Sequence, residues 1–322
     1  MRPGILCFGE ALIDFHAEGV GETGFPRAFV PFAGGAPANV AVAVARLGGR
    51  ARFAGMLALD PFGDFLLDSL RRAGVDVGDV ARTGEANTAL AFVSLDARGE
   101  RSFNFYRPPS ADLLFRPEHF RAGAFDDVSV FHVCSNSMTD PALAETTREG
   151  MRRAQAAGAL VSFDLNLRPA LWPRESDPRP SVWPALHLAD VVKLCAEEYA
   201  WLAEDGALLE RLWQGRTRLL VVTDGPRPLR WFRRDAQGEL PCPQVDAVDT
   251  TAAGDAFVGG LLCRLAELGG VAALDALLDD RAALGGMLAF AAACGALTVT
   301  RQGSFSAMPS AAEVHAFLES QP

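Results

Sequence analysis

Apolar residues along the chain alternate between two kinds of pattern. Short runs dense in Val, Ile, Leu and Phe, such as ILCFG at 5–9, are typical of buried strands. Longer stretches with apolar residues three or four apart, such as PANVAVAVARLGG at 37–49, are typical of helices packed on a sheet. The two kinds follow one another through most of the chain. This order predicts βαβ crossovers and an α/β fold, in which a central, mostly parallel sheet lies between two layers of helices.

Two segments interrupt the alternation. Residues 12–33 are short extended pieces separated by Gly and Pro, and residues 87–107 indicate a hairpin that turns at DARGE (96–100). Neither segment suits a parallel sheet, so together they predict a small β lid over its edge. A further hairpin is predicted at the periphery, around 235–238. Because no linker or repeat divides the sequence, we expect a single domain over 1–322, with the lid at approximately 12–33 and 87–107.

Composition narrows the class of protein. With 322 residues, 49% of them hydrophobic and 22% charged, the chain can bury a large core. A formal net charge of −10 argues against a nucleic-acid-binding surface, since phosphate backbones require clustered cations. The six cysteines lie far apart, without metal-ligand or redox spacing, and favour reduced thiols in a cytoplasmic protein. The apolar run at the N-terminus is too short for a signal peptide.

An uncharged stretch from Ala282 to Thr300 is about long enough to span a bilayer. It is rich in Ala and Gly, which favour insertion far less than Leu or Ile do, and its last residues, LTVT, predict a strand. We therefore expect a buried helix followed by a strand, and no membrane segment.

The segment VDTTAAGDAF at 248–257 places Asp255 directly after small residues, at the start of an apolar helix. Small residues leave backbone N–H groups uncovered there, and such groups attract anions. A carboxylate would repel the same anion. From these residues alone, Asp255 either complements the helix dipole, as many first-turn acids do, or has a separate chemical task.

Several other polar residues stand where parallel α/β proteins bind ligands. Gly34 and Gly35 allow close approach to the backbone, Asn39 lies in the first turn of a helix, and Asp14 can accept hydroxyl hydrogen bonds. This set suits a polyhydroxylated ligand. The alternative is a tight turn with an internally satisfied Asn39.

Two basic residues follow predicted strands. Lys193 is the one lysine among 30 basic residues and ends DVVKL, while Arg168 comes just after the strand FDLN. Both positions suit phosphate binding. The alternatives are chance for Lys193 and an ordinary ion pair with a nearby acid such as Asp164 for Arg168.

Nucleotide-binding loops of the common kinds are missing from the sequence. GVGETG at 19–24 has the glycine spacing of a dinucleotide fingerprint, but FPRAFVPF follows it instead of a helix. The sequence also contains no Gly-Lys-Ser/Thr phosphate loop. An oxidoreductase is therefore disfavoured, and any nucleotide must be held in another way.

Taken together, these motifs resemble those of the ribokinase-like (PfkB) carbohydrate kinase family, in particular its fructokinase branch. The motifs that carry the resemblance are GGAPANVAVAVARLGG (34–49), DPFG (60–63), SFNFYR (102–107), FDLNLRPALW (163–172), DVVKLCAEE (190–198) and DTTAAGDAFVGGLL (249–262). They occur in the family's order over nearly the whole chain. The first two and the last are specific to the family, whereas the preference for fructose rests on the middle ones.

The resemblance implies a three-layer ribokinase-like fold and ATP-dependent phosphorylation of a sugar primary hydroxyl, from D-fructose to fructose 6-phosphate. It implies that Asp255 is the general base, and that the backbone N–H groups of Ala252, Ala253, Gly254 and Asp255 stabilise the transferring phosphoryl group. The implied sugar-binding residues are Asp14, Gly34, Gly35, Asn39, Arg107 and Arg168, the last of which also reaches phosphate. The implied ATP-binding residues are Lys193, Thr223, Gly225 and Gly254. The implied metal sites are Glu198 for magnesium, through water, and Asp249 with Thr251 for a monovalent cation such as potassium.

Four positions depart from the family pattern. Ala252 and Pro228 stand where glycine is common, and Cys195 and Ala292 stand where asparagine is common. Two activities of the same family remain as alternatives, 2-keto-3-deoxygluconate kinase and ribokinase. A catalytically inactive sugar-binding regulator is the alternative of a different class. The expected partners are the sugar, ATP and a second copy of the chain bound through the lid.

Overall fold

The computed structural model describes residues 4–20, 25–95, 101–268 and 271–321, which form two β-sheets and ten α-helices. The strands of the larger sheet are β1 (Gly4–Phe8), β4 (Arg50–Ala58), β5 (Asp76–Thr83), β8 (Val128–Cys134), β9 (Leu160–Asp164), β10 (Val191–Cys195), β11 (Leu219–Asp224), β12 (Arg227–Phe232) and β13 (Gln237–Leu240). The strands of the smaller sheet are β2 (Leu12–Val20), β3 (Pro26–Gly34), β6 (Leu90–Leu95) and β7 (Arg101–Tyr106). The helices are α1 (Ala36–Arg46), α2 (Pro61–Arg72), α3 (Pro141–Ala156), α4 (Arg179–Leu186), α5 (Ala196–Leu202), α6 (Leu208–Gln214), α7 (Ala253–Ala266), α8 (Val271–Asp279), α9 (Arg281–Val299) and α10 (Ala311–Ser320).

The larger sheet has the strand order β13-β12-β11-β10-β9-β8-β1-β4-β5. The strands from β11 to β5 in this order are parallel, while β12 and β13 are antiparallel. The hairpin predicted around 235–238 is confirmed, and it forms one end of the sheet. The carboxyl ends of the parallel strands therefore meet at a single edge, where ligands bind in such folds.

Helices cover both faces of the sheet, as β1 illustrates. Ile5 and Cys7 belong to one hydrophobic core with residues of α1, α7 and α9, whereas Leu6 and Phe8 belong to another with residues of α3, α4 and α6. Successive strand side chains point to opposite faces, so one short apolar run supplies both cores. The predicted three-layer α/β architecture is confirmed.

The smaller sheet confirms the predicted lid. Its order is β3-β2-β6-β7, and a parallel pairing of Ile13–His16 with Leu90–Val93 joins the two segments. The turn expected at 96–100 lies outside the described residues. Asp60, which caps α2, accepts hydrogen bonds from the backbone N and Oγ1 of Thr88 at 2.8 and 2.7 Å. These hydrogen bonds connect the segment before β6 to the start of α2.

The strand predicted at LTVT (297–300) is wrong, because α9 continues through Val299. Thr298 Oγ1 donates to the carbonyl of Cys294 at 2.9 Å, a bond that accommodates a β-branched residue in a helix. The carbonyl of Val299 accepts the backbone N–H groups of Val248 and Asp249, at 2.7 and 3.1 Å. Although α9 is long and apolar enough to span a membrane, it packs against α7 in the core.

Candidate active site

A cavity of about 920 Å³ lies between the carboxyl edge of the larger sheet and the lid. Its volume falls in the range of small-molecule sites. The lining includes many of the residues that the sequence singled out, from four separate parts of the chain. These residues are Asp14, Gly35, Asn39, Arg168, Asp249, Thr251, Ala252 and Asp255.

Asp255 lies in the first turn of α7 and is 8% exposed. Its Oδ2 accepts a hydrogen bond from Asn39 Nδ2 at 2.7 Å, so Asn39 does not merely close its own turn. Burial raises the pKa of Asp255, while the bond from Asn39 and the charges of Arg168 and Lys193 act in the opposite direction. The result is a buried carboxylate that faces the cavity beside two cations.

The start of α7 is shaped by two small residues. Ala252 has a left-handed conformation, with φ 59° and ψ 12°, which is the conformation that a glycine would adopt more easily. A Cβ atom at Gly254 would lie 3.1 Å from Lys193 Nζ. The absence of a side chain at Gly254 thus lets the ammonium approach the first N–H groups of the helix, which have no intrahelical acceptor. This geometry creates a positive site next to a carboxylate.

Lys193 is only 7% exposed, and its Nζ lies 3.2 Å from Asp164 Oδ1. Burial disfavours its charged form, but Asp164, Glu198 and Asp255 outweigh burial and raise the pKa of Lys193. The pKa of Asp164 is also raised, because burial and the charges of Glu198 and Asp255 outweigh Lys193. Asp164 therefore pairs with Lys193, and the ion pair considered for Arg168 does not occur among the described residues.

Glu198 is buried and holds two loops together. Its Oε1 accepts from Leu167 N at 2.6 Å and its Oε2 from Cys195 N at 2.7 Å. Burial raises the pKa of Cys195 to about 12, so this residue remains a neutral thiol and a poor metal ligand at neutral pH.

Asp249 connects the loop before α7 to the loop after α9. Its Oδ1 accepts from Thr251 N at 2.7 Å, and its Oδ2 accepts from Gly303 N at 3.0 Å. Within the described part of the chain, no group of three or more His, Cys, Asp or Glu side chains forms a metal site.

Eight predicted site residues are not among those that line the cavity, namely Gly34, Arg107, Lys193, Glu198, Thr223, Gly225, Ala253 and Gly254. Arg107 is buried behind it and bonds to Asp112 Oδ2 and the carbonyl of Asn136, at 2.7 and 2.8 Å. Gly34 lies beside the cavity, and a side chain there would collide with Asp14 Oδ2. Thr223 is the second-last residue of β11, and Gly225, with φ 55°, comes directly after the strand; both lie at the same sheet edge but outside the cavity.

Glu10 and Asn136 are among the cavity residues that the sequence analysis missed. Glu10, which follows β1, is 1% exposed, and its Oε1 accepts from Ala36 N and Asn136 Nδ2 at 3.2 and 2.9 Å. Asn136 follows β8 in the same way. The rule that drew attention to Lys193, a polar residue at the end of an apolar strand, would also have found Glu10.

Comparison with known protein families shows which family has this sequence and fold. The model of the pfkB family carbohydrate kinases matches residues 2–311. The chain belongs to this family. Among its relatives, Fructokinase-1 of Oryza sativa subsp. japonica is 42% identical over 98% of this chain and 98% of the relative. The similarity covers both ends of the chain, including the lid segments and the loop before α7.

Solved structures extend the comparison. Fructokinase from Xylella fastidiosa with bound ATP is 56% identical, with a TM-score of 0.95 over 99% of both chains. Fructokinase from Vibrio cholerae O395, bound to fructose, ADP and calcium, is 33% identical, with a TM-score of 0.86 over 98% of this chain and 99% of that one. The ribokinase-like fold is therefore confirmed, and the relatives support phosphorylation of fructose by ATP.

Proposed function

We propose that this pfkB-family kinase transfers the γ-phosphoryl group of ATP to the primary hydroxyl of D-fructose, with Asp255 as general base. The observation that carries this proposal is the position of Asp255 in the cavity, at a helix start that also holds Lys193. The sugar oxygen forms a bond to the γ-phosphorus, the bond to the bridging oxygen of ADP breaks, and Asp255 takes the hydroxyl proton.

The carboxylate of Asp255 and the positive site formed by Lys193 and the N–H groups of α7 are separate, which explains how an acid can follow the small residues without repelling the phosphate. Asn39 holds Oδ2 of Asp255 at 2.7 Å, and Lys193 lies against Gly254, one residue before the base. Phosphate oxygens would meet the ammonium and the N–H groups of α7, while the carboxylate would meet the sugar hydroxyl. Stabilisation of the phosphoryl oxygens is the larger contribution in such reactions.

Sugar recognition has further support in two buried amide oxygens. Oδ1 of Asn39 and Oδ1 of Asn136 are buried and have no hydrogen-bond partner among the described residues, and both side chains line the cavity. A buried acceptor without a donor is costly, so hydroxyl groups of the ligand are suitable partners. Asp14 lies in the same lining and is a third acceptor for hydroxyls. Arg107, by contrast, supports the sugar site through Asn136 instead of touching the sugar.

The metal assignments are also proposals. Each oxygen of Glu198 already accepts one backbone N–H, which leaves lone pairs for water molecules of a hydrated magnesium ion. Magnesium would supply charge neutralisation on the phosphates of ATP. The loop held by Asp249 and Thr251 is the proposed place for potassium. Lys193, Thr223, Gly225 and Gly254 remain the proposed contacts for the nucleotide.

The predicted homodimer has a suitable surface on the lid. Asp14 and His16 line the cavity, so the side chain of Phe15 between them lies on the opposite face of the sheet. Phe92 packs there against Phe15, with ring centroids 5.1 Å apart, and Tyr106 beside Phe92 is 68% exposed. Light scattering coupled to gel filtration should show a dimer, and Tyr106→Glu should weaken it.

Turnover of a panel of acceptors tests the activity. kcat/KM should be highest for fructose, above ribose and 2-keto-3-deoxygluconate, because specificity is a ratio of transition-state affinities. A tenfold or greater preference for the keto-deoxy acid would make that acid the substrate instead of fructose. Absence of turnover with every sugar, together with sugar binding, would support the inactive regulator.

A further inference from the structure

A second cavity, of about 370 Å³, lies behind the lid strand β3 and does not include the residues assigned to catalysis. Its walls come from the ends of α1 and α2, from β3 and from the loop after α9. It contains two guanidinium groups, three hydroxyl groups and four apolar rings. These groups belong to Arg46, Arg72, Ser69, Ser304, Ser306, Pro31, Phe32, Phe65 and Phe305.

The two arginines are available for a ligand. Arg46 uses its Nε for a long hydrogen bond of 3.4 Å to the carbonyl of Met308, and neither Arg46 nor Arg72 has a carboxylate partner among the described residues. Arg71, next to Arg72 in α2, is instead paired with Asp68 at 3.6 Å and does not line the cavity. The cavity thus holds two unneutralised positive charges in a protein whose net charge is −10.

We propose that this cavity binds a small phosphorylated sugar. Guanidinium groups bind phosphoryl oxygens by paired hydrogen bonds, and the hydroxyl of Ser69 can add a further donor, whereas those of Ser304 and Ser306 already donate to the carbonyls of Ala33 and Gln302. Inorganic phosphate alone would leave most of the 370 Å³ unfilled. Phe32, Phe305 and Pro31 offer apolar surfaces for the C–H face of a sugar ring, which a bare phosphate cannot use.

The second cavity shares a wall with the sugar-binding cavity. Phe32 lines both of them. Ser304 Oγ donates to the carbonyl of Ala33 at 2.7 Å, and the neighbouring Gly303 donates its N–H to Asp249. A ligand that joins Arg46 and Arg72 to β3 would stabilise the arrangement of β3 in which Gly34 lies against Asp14. Binding in the second cavity should therefore strengthen fructose binding, and the coupling is reciprocal.

Calorimetric titration with glucose 6-phosphate and with inorganic phosphate tests the proposal. The main site should first be saturated with fructose and a non-hydrolysable ATP analogue, so that it cannot take up the probe. We expect saturable binding of glucose 6-phosphate, at least tenfold tighter than phosphate. The double variant Arg46→Gln/Arg72→Gln should abolish it, and the matched control Arg71→Gln should retain it. Ser69→Asp, which brings a negative charge to the cavity, should weaken binding independently of the arginines.

The coupling has its own measurement. Saturating glucose 6-phosphate should lower the dissociation constant of fructose about fivefold or more in the natural protein and in Arg71→Gln, but not in the double variant. Unchanged binding in the double variant would overturn the site, and equal affinity for phosphate would overturn the sugar-phosphate ligand. Binding without an effect on fructose would overturn the coupling. Because these readouts are equilibrium affinities, they can fail while the fructokinase activity of the protein stands.

Discussion

Asp255→Asn is the substitution that separates catalysis from structure most sharply. An asparagine keeps the size of the side chain, and its carbonyl oxygen can still accept the hydrogen bond from Asn39 Nδ2. It cannot take the proton of the sugar hydroxyl. General base catalysis contributes roughly 10²- to 10⁴-fold, so kcat should fall by about that factor, equivalent to about 3 to 5 kcal/mol in the activation free energy.

Asp255→Asn should lower kcat but should not lower the stability of the folded protein. Burial raises the pKa of Asp255 in the folded protein above its value in the unfolded chain. The folded state is therefore stabilised by the neutral carboxyl group at low pH. This contribution is lost as the pH rises from the unfolded-state pKa through the folded-state pKa. The asparagine variant does not have this loss at pH 7 to 8. Its melting temperature should therefore equal or exceed that of the natural protein. In the natural enzyme, kcat/KM should fall as the pH decreases through the raised pKa.

A second helix-start acid provides the control. Asp280 caps α9, where its Oδ1 accepts from Ala282 N and Ala283 N at 2.9 and 3.0 Å, outside the cavity. Asn is about as good a cap as Asp, so Asp280→Asn should keep near-normal kcat and melting temperature. Steady-state kinetics and circular-dichroism melts on both variants give the comparison. A folded Asp255→Asn protein that retains more than about a tenth of the natural kcat would refute the general-base role.

Three further predictions concern binding, motion and backbone strain. Asp14→Asn should weaken fructose binding by about 1 to 3 kcal/mol, which raises KM for fructose and leaves kcat nearly unchanged, because the hydroxyl contacts exist in both ground and transition states. Steady-state kinetics that show a loss of kcat with an unchanged KM would contradict this. Fructose should slow amide hydrogen exchange in β2 and β6, and equal exchange with and without sugar would contradict closure of the lid. Ala252 has φ 59°, a left-handed conformation that costs residues with a Cβ atom more than glycine. Ala252→Gly should therefore keep activity with an equal or higher melting temperature, whereas Ala252→Val should lose about 1 to 2 kcal/mol of stability. A valine variant more stable than the natural protein would rule out strain at this position.

The sequence was sufficient where local pattern and burial agree. The apolar run of β1 and the amphipathic pattern of α1 predict their elements because strands and helices bury side chains with periods of two and 3.6 residues. Strand β5 was missed because its sequence, DVGDVART, has no continuous apolar run. Asp79 in this strand is buried, and its two carboxylate oxygens are paired with Arg52 on β4, 2.7 Å away, and with Arg121. Such a partner is visible in the fold and not in a local window of sequence.

At the site, the sequence by itself determined which residue types were available, and the tertiary structure decided which of them meet. Asp255 and Lys193 could be selected from their places next to predicted elements. The contact of Asp255 with Asn39 joins residues 216 positions apart, because α1 and α7 pack together. Arg107 looked like a sugar ligand from its motif, yet the fold buries its guanidinium against Asp112. A buried charged side chain needs a partner of opposite charge to offset the loss of hydration, so its orientation depends on where that partner lies. Only the packing of the whole chain determines this position.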